Sequence, residues 1–485
     1  MNKLIVVLFL ISVFLASFIP VKDTDFGWHY RCGQQFLTTG NPLANGCLKN
    51  EFSYFLPDYQ AYYPSFLYDI GLAFVYNHFG FIGISFLGAA IFTLCAFFIF
   101  RFLSGPSWLR ILAFYTIWLL SYSTFGLGLR SQIVSFLFFA VTLFIINKAK
   151  NNFGWLFLLP LIFVVWVNTH IGFFIGLVLL VFFTAESVIN LRGFSDTIWN
   201  RGGLILVSVF IFSILSTFIN PFGPKVYLEI FRHLQAPLST MIAEWVAPDF
   251  WQTTLIIILI IIGLVISFKN KSISLFKILI LLSFGFLAVK ARRNLPFFYI
   301  IFFYTTLSSK LTNNFLKYLG HDHDQDKVIN QLSLSFLVSL IFVFSVINIP
   351  QTLNFHQSWE NYCRQGPISY PCQAIEKTNL KQLSGNLFTA YEWGGFLIWQ
   401  TPKLKVFADG RMSAWKDENN QYPYQVYLYI IQAKSGWNEM LKKYKTDYLL
   451  IGKGTFLDLE LQKNAAKYGW KESYRDDVAV FYQKT

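Results

Sequence analysis

Two aspartates and a histidine follow the first hydrophobic segment at a spacing that suits proton transfer or metal binding. The stretch reads Lys22-Asp23-Thr24-Asp25-Phe26-Gly27-Trp28-His29. If Asp25 begins a helix, His29 lies on the same face one turn later, and Asp23 approaches from the preceding turn. Two carboxylates and an imidazole can act as a general base or bind a divalent cation such as Mg²⁺ or Mn²⁺. The alternative is a helix N-cap, which accounts for one aspartate but leaves the second and the histidine unexplained.

Four basic residues lie at positions where a membrane protein rarely places cations. Arg130 precedes a hydrophobic segment, and Lys290, Arg292 and Arg293 occupy a short connection before another. Both places fall on the outer side of the topology derived below. A lipid phosphate needs such hydrogen-bond donors, and arginine suits it through its planar fork of N–H groups. The alternative is that these side chains snorkel to headgroups of the outer leaflet.

Two further candidates lie in other outer connections. His170 lies in the tight turn Trp166–Gly172, where it can donate to a phosphate, ligate a metal, or simply bond to the backbone. Glu244 lies in the segment Glu244-Trp245-Val246-Ala247-Pro248-Asp249, where it can complete a metal or acceptor site or remain an ordinary loop carboxylate.

The elements that must position these residues are membrane-spanning helices. Of the 485 residues, 55% are hydrophobic and only 13% are charged, about half of the usual charged fraction. The mean hydropathy is +0.47. This composition excludes disordered, collagenous and disulfide-scaffold classes. The net charge of +13 fits anionic lipid or phosphate partners and gives no indication of nucleic-acid binding.

Apolar runs of sufficient length predict about eleven transmembrane helices. They cover 4–20, 81–102, 108–123, 129–147, 153–168, 171–190, 203–219, 251–268, 273–289, 295–309 and 331–349. The first is interpreted as an uncleaved helix because Ala16-Ser17-Phe18 is a poor signal-peptide cleavage site. Every second short connection is basic, so the rule that cytoplasmic loops carry Lys and Arg places the N-terminus inside.

An odd number of spans then places the C-terminal residues outside the membrane. The prediction is a transmembrane domain over 1–350 with long outer loops at 21–80 and 220–250, followed by an extracytoplasmic domain over 351–485. The last 135 residues contain 17 of the 39 Lys and Arg and 13 of the 26 Asp and Glu. Strand-like runs are predicted there at Leu387-Phe388-Thr389, Leu404–Ala408, Tyr448–Ile451 and Val478–Gln483, and helices at Tyr424–Tyr444 and Leu457–Tyr468. This alternation predicts a small α/β domain.

The cysteines agree with this topology. Cys32 and Cys47 both lie in the first outer loop, and Cys363 and Cys372 both lie at the start of the outer domain. Two disulfides in an oxidising compartment are therefore expected. Four free thiols would instead indicate the opposite orientation.

The layout resembles the GT-C superfamily of integral-membrane glycosyltransferases. The Asp23-Thr24-Asp25 segment with Trp28-His29 is similar to the acidic motif of their first outer loop. The resemblance implies that Asp25, with Asp23 second, is the catalytic base or a metal ligand, and that the outer cations surround a polyprenyl-phosphate donor. Two segments of the tail are looser matches to oligosaccharyltransferase catalytic subunits, namely Tyr391-Glu392-Trp393-Gly394-Gly395 and Val406-Phe407-Ala408-Asp409-Gly410-Arg411.

These residues together predict a glycosyltransferase of the plasma (inner) membrane. It would transfer a hexose or pentose from a polyprenyl-phosphate donor to a lipid, glycan or protein acceptor at the outer face, with inversion at the sugar carbon. A transporter or flippase of lipid-linked or anionic solutes is the alternative, but it requires polar groups along a path across the bilayer. An inactive scaffold with an outer binding domain is a third interpretation. The sequence contains no Gly-x-x-x-x-Gly-Lys-Ser/Thr loop, so it gives no support to ATP-driven transport.

Overall fold

A computed structural model of the chain describes residues 2–41, 47, 49–192, 201–269, 274–307, 323–364 and 368–485. Parts of the predicted inner loops lie outside the described residues. The chain divides into two compact units. Unit 1 contains 1–21, 82–223 and 242–352, and unit 2 contains 22–81, 224–241 and 353–485.

Unit 1 is built from apolar helices, and two of those given below, Phe66–Phe102 and His323–Gln357, each have one end in unit 2. Each predicted membrane segment coincides with helical structure, with these bounds: Asn2–Ser17, Phe66–Phe102, Ser107–Leu120, Ser131–Ala149, Phe153–Leu158 with Leu159–Val167, Phe173–Arg192, Arg201–Ser216, Phe250–Lys269, Leu275–Lys290, Leu295–Leu307 and His323–Gln357. By length and composition, four stretches among the described residues can cross a membrane: Phe66–Phe102, Ser131–Ala149, Ala243–Lys269 and Val328–Gln357. Shorter apolar helices accompany them. The number of spans therefore remains a prediction.

One long helix contains a sharp kink. Helix Phe66–Phe102 is interrupted at Gly80, whose φ of 59° and ψ of −158° lie in a region that only glycine adopts without strain. The predicted span that begins at residue 81 is therefore the second part of a longer helical stretch.

The ends of the first and last helices of unit 1 are joined by polar side chains. Asn348 donates from Nδ2 to the carbonyl oxygens of Leu15 and Ala16, at 2.8 and 3.1 Å. Thr352 donates to the carbonyl oxygen of Phe18 at 2.9 Å. These bonds satisfy backbone oxygens that a helix end leaves without intrahelical donors.

Unit 2 contains a mixed five-stranded sheet. The strands are β1 (Gly385–Thr389), β2 (Leu404–Val406), β3 (Tyr448–Gly452), β4 (Trp470–Arg475) and β5 (Ala479–Lys484), in the order β2-β1-β3-β5-β4. β1 is parallel to β2 and β3, whereas β5 is antiparallel to β3 and β4. The predicted α/β character of the tail is confirmed.

Side chains of the sheet alternate between two hydrophobic cores. On β5, Ala479 and Phe481 join one core, while Val480 and Tyr482 join the other. This is the period of two that a strand imposes. The helices of unit 2 are Phe26–Thr39, Val226–Gln235, Trp359–Arg364, Cys372–Lys377, Gly394–Gln400, Pro423–Ile431, Trp437–Lys443 and Phe456–Tyr468.

The first outer loop is part of the same unit as the C-terminal residues. Val406 of β2 donates to the carbonyl oxygen of Phe52 at 2.9 Å and accepts from the N–H of Tyr54 at 3.0 Å. The unit therefore extends beyond the predicted domain 351–485, because two segments distant in sequence complete its hydrophobic cores and the edge of its sheet.

Both predicted disulfides are present in unit 2. Cys32 pairs with Cys47 and Cys363 pairs with Cys372, with Cα–Cα distances of 5.8 and 6.1 Å. Their Cα separations lie within the range that a disulfide spans. The prediction of two bonded pairs is confirmed.

Candidate functional site

Asp25 occupies the N-cap position of helix Phe26–Thr39 but does not use its carboxylate as a cap. Among the described residues, no cap hydrogen bond reaches its side chain. Its backbone N–H donates to Asp23 Oδ1 at 3.3 Å, and its carbonyl oxygen accepts from the N–H of His29 at 3.2 Å. The N-cap interpretation of Asp25 is therefore not supported, and Asp23 holds the backbone of Asp25 in place.

Glycines allow this helix start to approach the C-terminal residues closely. A Cβ at Gly27 would overlap the carbonyl of Gly395, and a Cβ at Gly395 would overlap the carbonyl oxygen of Thr24. A Cβ at Gly394 would lie 2.6 Å from the carbonyl oxygen of Ala408. Backbone contact at this distance is open only to glycine. The Gly394-Gly395 pair thus lies between the Asp25 segment and the residues that follow β2.

This packing brings the Asp25 carboxylate into contact with the Cα of Gly410, at the position that a side chain would occupy. A Cβ built at Gly410 would overlap Asp25 Oδ1, and Oδ2 would lie 3.2 Å away. Asp25 is consequently adjacent to the Asp409-Gly410-Arg411 segment. The sequence reasoning considered both segments but did not predict that they meet.

Beside this carboxylate lies a fully buried ion pair. Arg411 donates from Nε to Asp409 Oδ1 at 2.7 Å and from Nη2 to Asp409 Oδ2 at 2.8 Å. The guanidinium also packs on the rings of Phe52 and Trp415, at 5.1 and 5.7 Å from their centroids. Asp409 and Arg411 are 0% and 1% exposed, and in the described part of the chain Nη1 of Arg411 has no hydrogen-bond partner. A buried guanidinium N–H without an acceptor is unusual and suits an anionic or hydroxyl ligand.

Burial and nearby carboxylates raise the pKa values of two tyrosines close to this pair. Tyr63 donates its hydroxyl proton to the carbonyl oxygen of Arg411 at 2.6 Å. Burial, followed by the charges of Glu229 and Asp25, raises the pKa of Tyr63 well above its usual value. Burial and then the charges of Asp25 and Asp409 raise the pKa of Tyr391 in the same way. Both hydroxyls therefore remain protonated and can serve as hydrogen-bond donors at neutral pH.

Glu229 is a site residue that the sequence reasoning missed. It lies on helix Val226–Gln235 and is 0% exposed. Its Oε2 accepts from Arg232 Nη1 at 3.0 Å, and its Oε1 lies 3.6 Å from His233 Nδ1. Oε1 has no hydrogen-bond partner among the residues that the structure describes. The Glu-x-x-Arg-His spacing in a long outer loop was the available signal, because it puts three ionisable side chains on one helix face.

His29 is engaged elsewhere in unit 2. Its Nδ1 lies 2.5 Å from Asp69 Oδ1 in a buried pair, and its ring stacks on Trp28. Ser65 donates to the second oxygen of Asp69 at 3.2 Å. In the described residues no three His, Cys, Asp or Glu side chains form a metal-binding group. The predicted ligand trio of Asp23, Asp25 and His29 is therefore not assembled among the described residues.

In unit 1 the structure brings together part of the predicted phosphate site. Arg130 forms an ion pair with Glu244, and the charge of Arg293 also acts on Glu244. The Arg293 guanidinium lies over Trp245, 4.4 Å from the ring centroid, and its carbonyl oxygen accepts from Gln132 at 3.4 Å. The charges of two guanidiniums thus act on one carboxylate.

The other predicted cations of unit 1 have separate surroundings. Arg292 donates to Asp249 Oδ1 at 2.5 Å, and its backbone N–H donates to the carbonyl oxygen of Val246 at 3.0 Å. Lys290 lies over the ring of Phe286 on its own helix, 5.5 Å from the centroid. His170 bonds to Ser135, 2.7 Å from Nδ1 to Oγ.

Sequence comparisons find no match, whereas structural comparison finds proteins of similar fold. No protein-family model matches the chain, and no curated protein matches it. The apo oligosaccharyltransferase of Archaeoglobus fulgidus aligns with a TM-score of 0.53 and 12% identity, over 100% of this chain and 74% of that chain. The same enzyme in complex with an inhibitory peptide and a dolichol-phosphate aligns at 0.52 and 11% identity, with the same coverage. Its complex with Zn and sulfate aligns at 0.50 and 12% identity, over 99% and 73%.

These neighbours are membrane glycosyltransferases of the GT-C superfamily. The alignment includes the whole chain, so both units take part in the similarity. The chain therefore shares the fold of these enzymes, and the resemblance inferred from the sequence is confirmed at the level of the fold. Four apolar helical stretches among the described residues are long enough to cross a membrane, which is consistent with a multi-pass membrane protein.

Proposed function

We propose that the protein is a membrane glycosyltransferase that transfers a sugar from a polyprenyl-phosphate donor to an acceptor at the outer face of the membrane. The observation that carries the proposal is the position of the Asp25 carboxylate on Gly410, beside the buried Asp409–Arg411 pair. A carboxylate held at this position can accept a proton as a general base.

In the proposed reaction, Asp25 accepts the proton of an acceptor hydroxyl or amide. The acceptor atom forms a bond to the anomeric carbon of the sugar as the bond from that carbon to the phosphate oxygen breaks. The polyprenyl phosphate leaves with the electron pair of that bond. A single displacement of this kind inverts the anomeric configuration and requires one base. Asp23 contributes by holding the N–H of Asp25.

The donor phosphate is assigned to the cations of unit 1. Arg130 and Arg293 provide two guanidiniums around Glu244, and His170 provides an imidazole. Positive groups fixed in advance stabilise charge that develops on a leaving phosphate. Arg292 and Lys290 have a smaller role in this proposal, because Arg292 is paired with Asp249 and Lys290 lies along its own helix.

A metal ion has no assigned step. The solved complex of the Archaeoglobus fulgidus enzyme contains Zn and sulfate. Among the described residues, no three His, Cys, Asp or Glu side chains form a metal-binding group.

Two disulfides support placement of unit 2 outside the cytoplasm, since such bonds persist in oxidising compartments. Together with the basic connections between the apolar segments, the disulfides favour a protein of the plasma (inner) membrane whose N-terminus lies on the cytoplasmic side. The acceptor is a lipid, glycan or protein reached from that side.

The test is Asp25→Asn, assayed in membranes with radiolabelled polyprenyl-phosphate hexose and pentose donors. Loss of a general base predicts a decrease in turnover of about 10²–10⁴-fold. Asp477→Asn is the matched control, because Asp477 is an exposed aspartate of the same unit whose side chain is 101% accessible. Unchanged turnover in Asp25→Asn would remove Asp25 from the mechanism. Donor movement across the bilayer without sugar transfer would favour the transporter alternative.

A further inference from the structure

Helix Val226–Gln235 of the long outer loop turns its apolar side outward. Leu228, Phe231 and Leu234 are 49%, 58% and 67% exposed. Residues three apart lie along one side of a helix, so these side chains form an apolar strip along it. Glu229, on the opposite side, is 0% exposed. The helix therefore buries an ionisable group and exposes its large apolar ones.

Contacts within unit 2 fix this orientation. The helix packs on the 3₁₀ turn Gly410–Ala414, and Val226 on the packed side is 0% exposed. Arg232 donates from Nη1 to Glu229 Oε2 at 3.0 Å and to the carbonyl oxygen of Gln60 at 3.3 Å. A buried carboxylate is stable only with partners of this kind. These contacts hold the helix with the apolar strip outward.

A second helix of unit 2 shows the usual arrangement for a side that faces water. On helix Phe456–Tyr468, the exposed Leu459 is followed one turn later by Gln462 and Lys463, which are also exposed. On the helix with the apolar strip, Gln235 adds an exposed polar side chain where the helix ends. An amphipathic helix in water directs its apolar side at the protein. The apolar strip is therefore suited to an apolar surrounding.

The chain on either side of the helix connects it to apolar stretches. Seven residues, 236–242, separate it from Ala243–Lys269, which is long enough to cross a membrane. On the other side, residues 217–225 connect it to the apolar helix Arg201–Ser216. Short connections hold a helix near the surface at which such stretches enter a bilayer. Lys225, an exposed cation next to the helix, suits the phosphates of lipid headgroups.

We infer that helix Val226–Gln235 lies in the interface of the outer leaflet, with Leu228, Phe231 and Leu234 inserted among the acyl chains of phospholipids. Insertion anchors the loop that carries Glu229 at the level of the headgroups. The inference rests on the apolar stretches lying in a membrane and does not require sugar transfer. A second copy of the chain is the other surface that could cover the apolar strip, and the experiments below distinguish it from lipid.

Spin labels measure the surroundings of the apolar strip in the full chain. Leu228→Cys, Phe231→Cys and Leu234→Cys are each labelled in a Cys95→Ala background, where the four other cysteines stay in disulfides. The chain is reconstituted at one copy per nanodisc of phosphatidylethanolamine and phosphatidylglycerol. The measured quantity is the ratio of label collisions with oxygen, which concentrates in hydrocarbon, to collisions with a nickel chelate, which stays in water. Leu459→Cys is the matched control, because Leu459 is 48% exposed and Leu228 is 49% exposed.

Insertion predicts a collision ratio several-fold higher at each of the three labelled positions than at Leu459. A ratio equal to that at Leu459 would place the apolar strip in water and overturn the inference. Low collision rates with both reagents would show that protein covers the strip, which would also overturn it.

A photo-crosslinker provides a second measurement that keeps an aromatic ring in place. Benzoylphenylalanine in place of Phe231, in vesicles of the same two lipids, should form adducts with phospholipid that mass spectrometry detects. The same group in place of Phe456 should form several-fold fewer, although Phe456 is 68% exposed. Equal yields of lipid adduct at both positions, or adducts between two copies of the chain in their place, would overturn the inference. Neither measurement detects sugar transfer, so failure of the proposed function would leave the result for this helix unchanged.

Discussion

Gly410→Ala tests whether the position of the Asp25 carboxylate matters for turnover. The added Cβ would lie far inside 3.0 Å of Asp25 Oδ1, a distance that real Cβ atoms essentially never show. Gly410 is not in the left-handed region, so the backbone can accept alanine without strain. The perturbation therefore acts through the carboxylate of Asp25.

The size of the effect follows from the displacement. An ordinary van der Waals contact is 3.4–4 Å, so the carboxylate must retreat by roughly 1 Å or more. A misplacement of about 1 Å in a catalytic group can cost about 100-fold in rate, or about 2.7 kcal/mol in the activation barrier. We expect a decrease of this size in turnover of the polyprenyl-phosphate donor that wild type uses.

The matched control is Gly71→Ala in the same unit. Among the described residues nothing lies within 4 Å of a Cβ at Gly71, and its helical position favours alanine. Thermal unfolding of Asp25→Ala/Gly410→Ala provides a second measurement. Without the Asp25 carboxylate the methyl is accommodated, so the two substitutions should show a coupling of about 1–2 kcal/mol. Wild-type turnover in Gly410→Ala, or strict additivity of the two stability changes, would refute the reasoning.

Three further changes test other parts of unit 2. Asp409→Asn breaks a buried ion pair, so it should lower the free energy of unfolding by about 3–5 kcal/mol in denaturant titrations, and a loss below about 1 kcal/mol would contradict complete burial of the pair. Glu229→Gln removes the charge of a fully buried carboxylate that pairs with Arg232, so it should lower the free energy of unfolding by about 1–3 kcal/mol, less than Asp409→Asn because Arg232 is partly exposed; an unchanged free energy of unfolding would contradict the pairing. Arg475 lowers the pKa of Asp458 against the effect of burial, so the stabilisation from this carboxylate is complete above its unfolded pKa of about 3.8 and is lost as pH falls through the lower folded value. The stability difference between wild type and Asp458→Asn should therefore shrink below about pH 4, and a constant difference from pH 7 to pH 3 would refute this.

Much of the fold could be predicted from the sequence because apolar length and strand period are local properties. Four of the five strands were predicted, because the buried side chains of each strand form a short run of apolar residues in the sequence. β4 was missed because it is an edge strand with the mainly exposed sequence Trp470–Arg475. The helix predicted over Tyr424–Tyr444 is two helices, because Ala433 and Gly436 have positive φ values of 49° and 89°.

Part of the site could also be predicted. Asp25, Arg130 and Glu244 were all identified because ionisable groups at the ends of apolar segments are costly and therefore informative. The two disulfides followed from counting cysteines on one side of the predicted membrane.

Tertiary structure alone decided which of these groups meet. Asp25 and Gly410 are separated by hundreds of residues and come together because glycines at 27, 394 and 395 let three backbone segments approach closely. Glu229 is buried by packing that its own helix does not reveal. His29 and Asp69 form a pair that no local spacing indicates. Sequence determined the types of chemical group available to this protein, whereas long-range packing determined their partners, because contact between distant segments depends on the shapes of both.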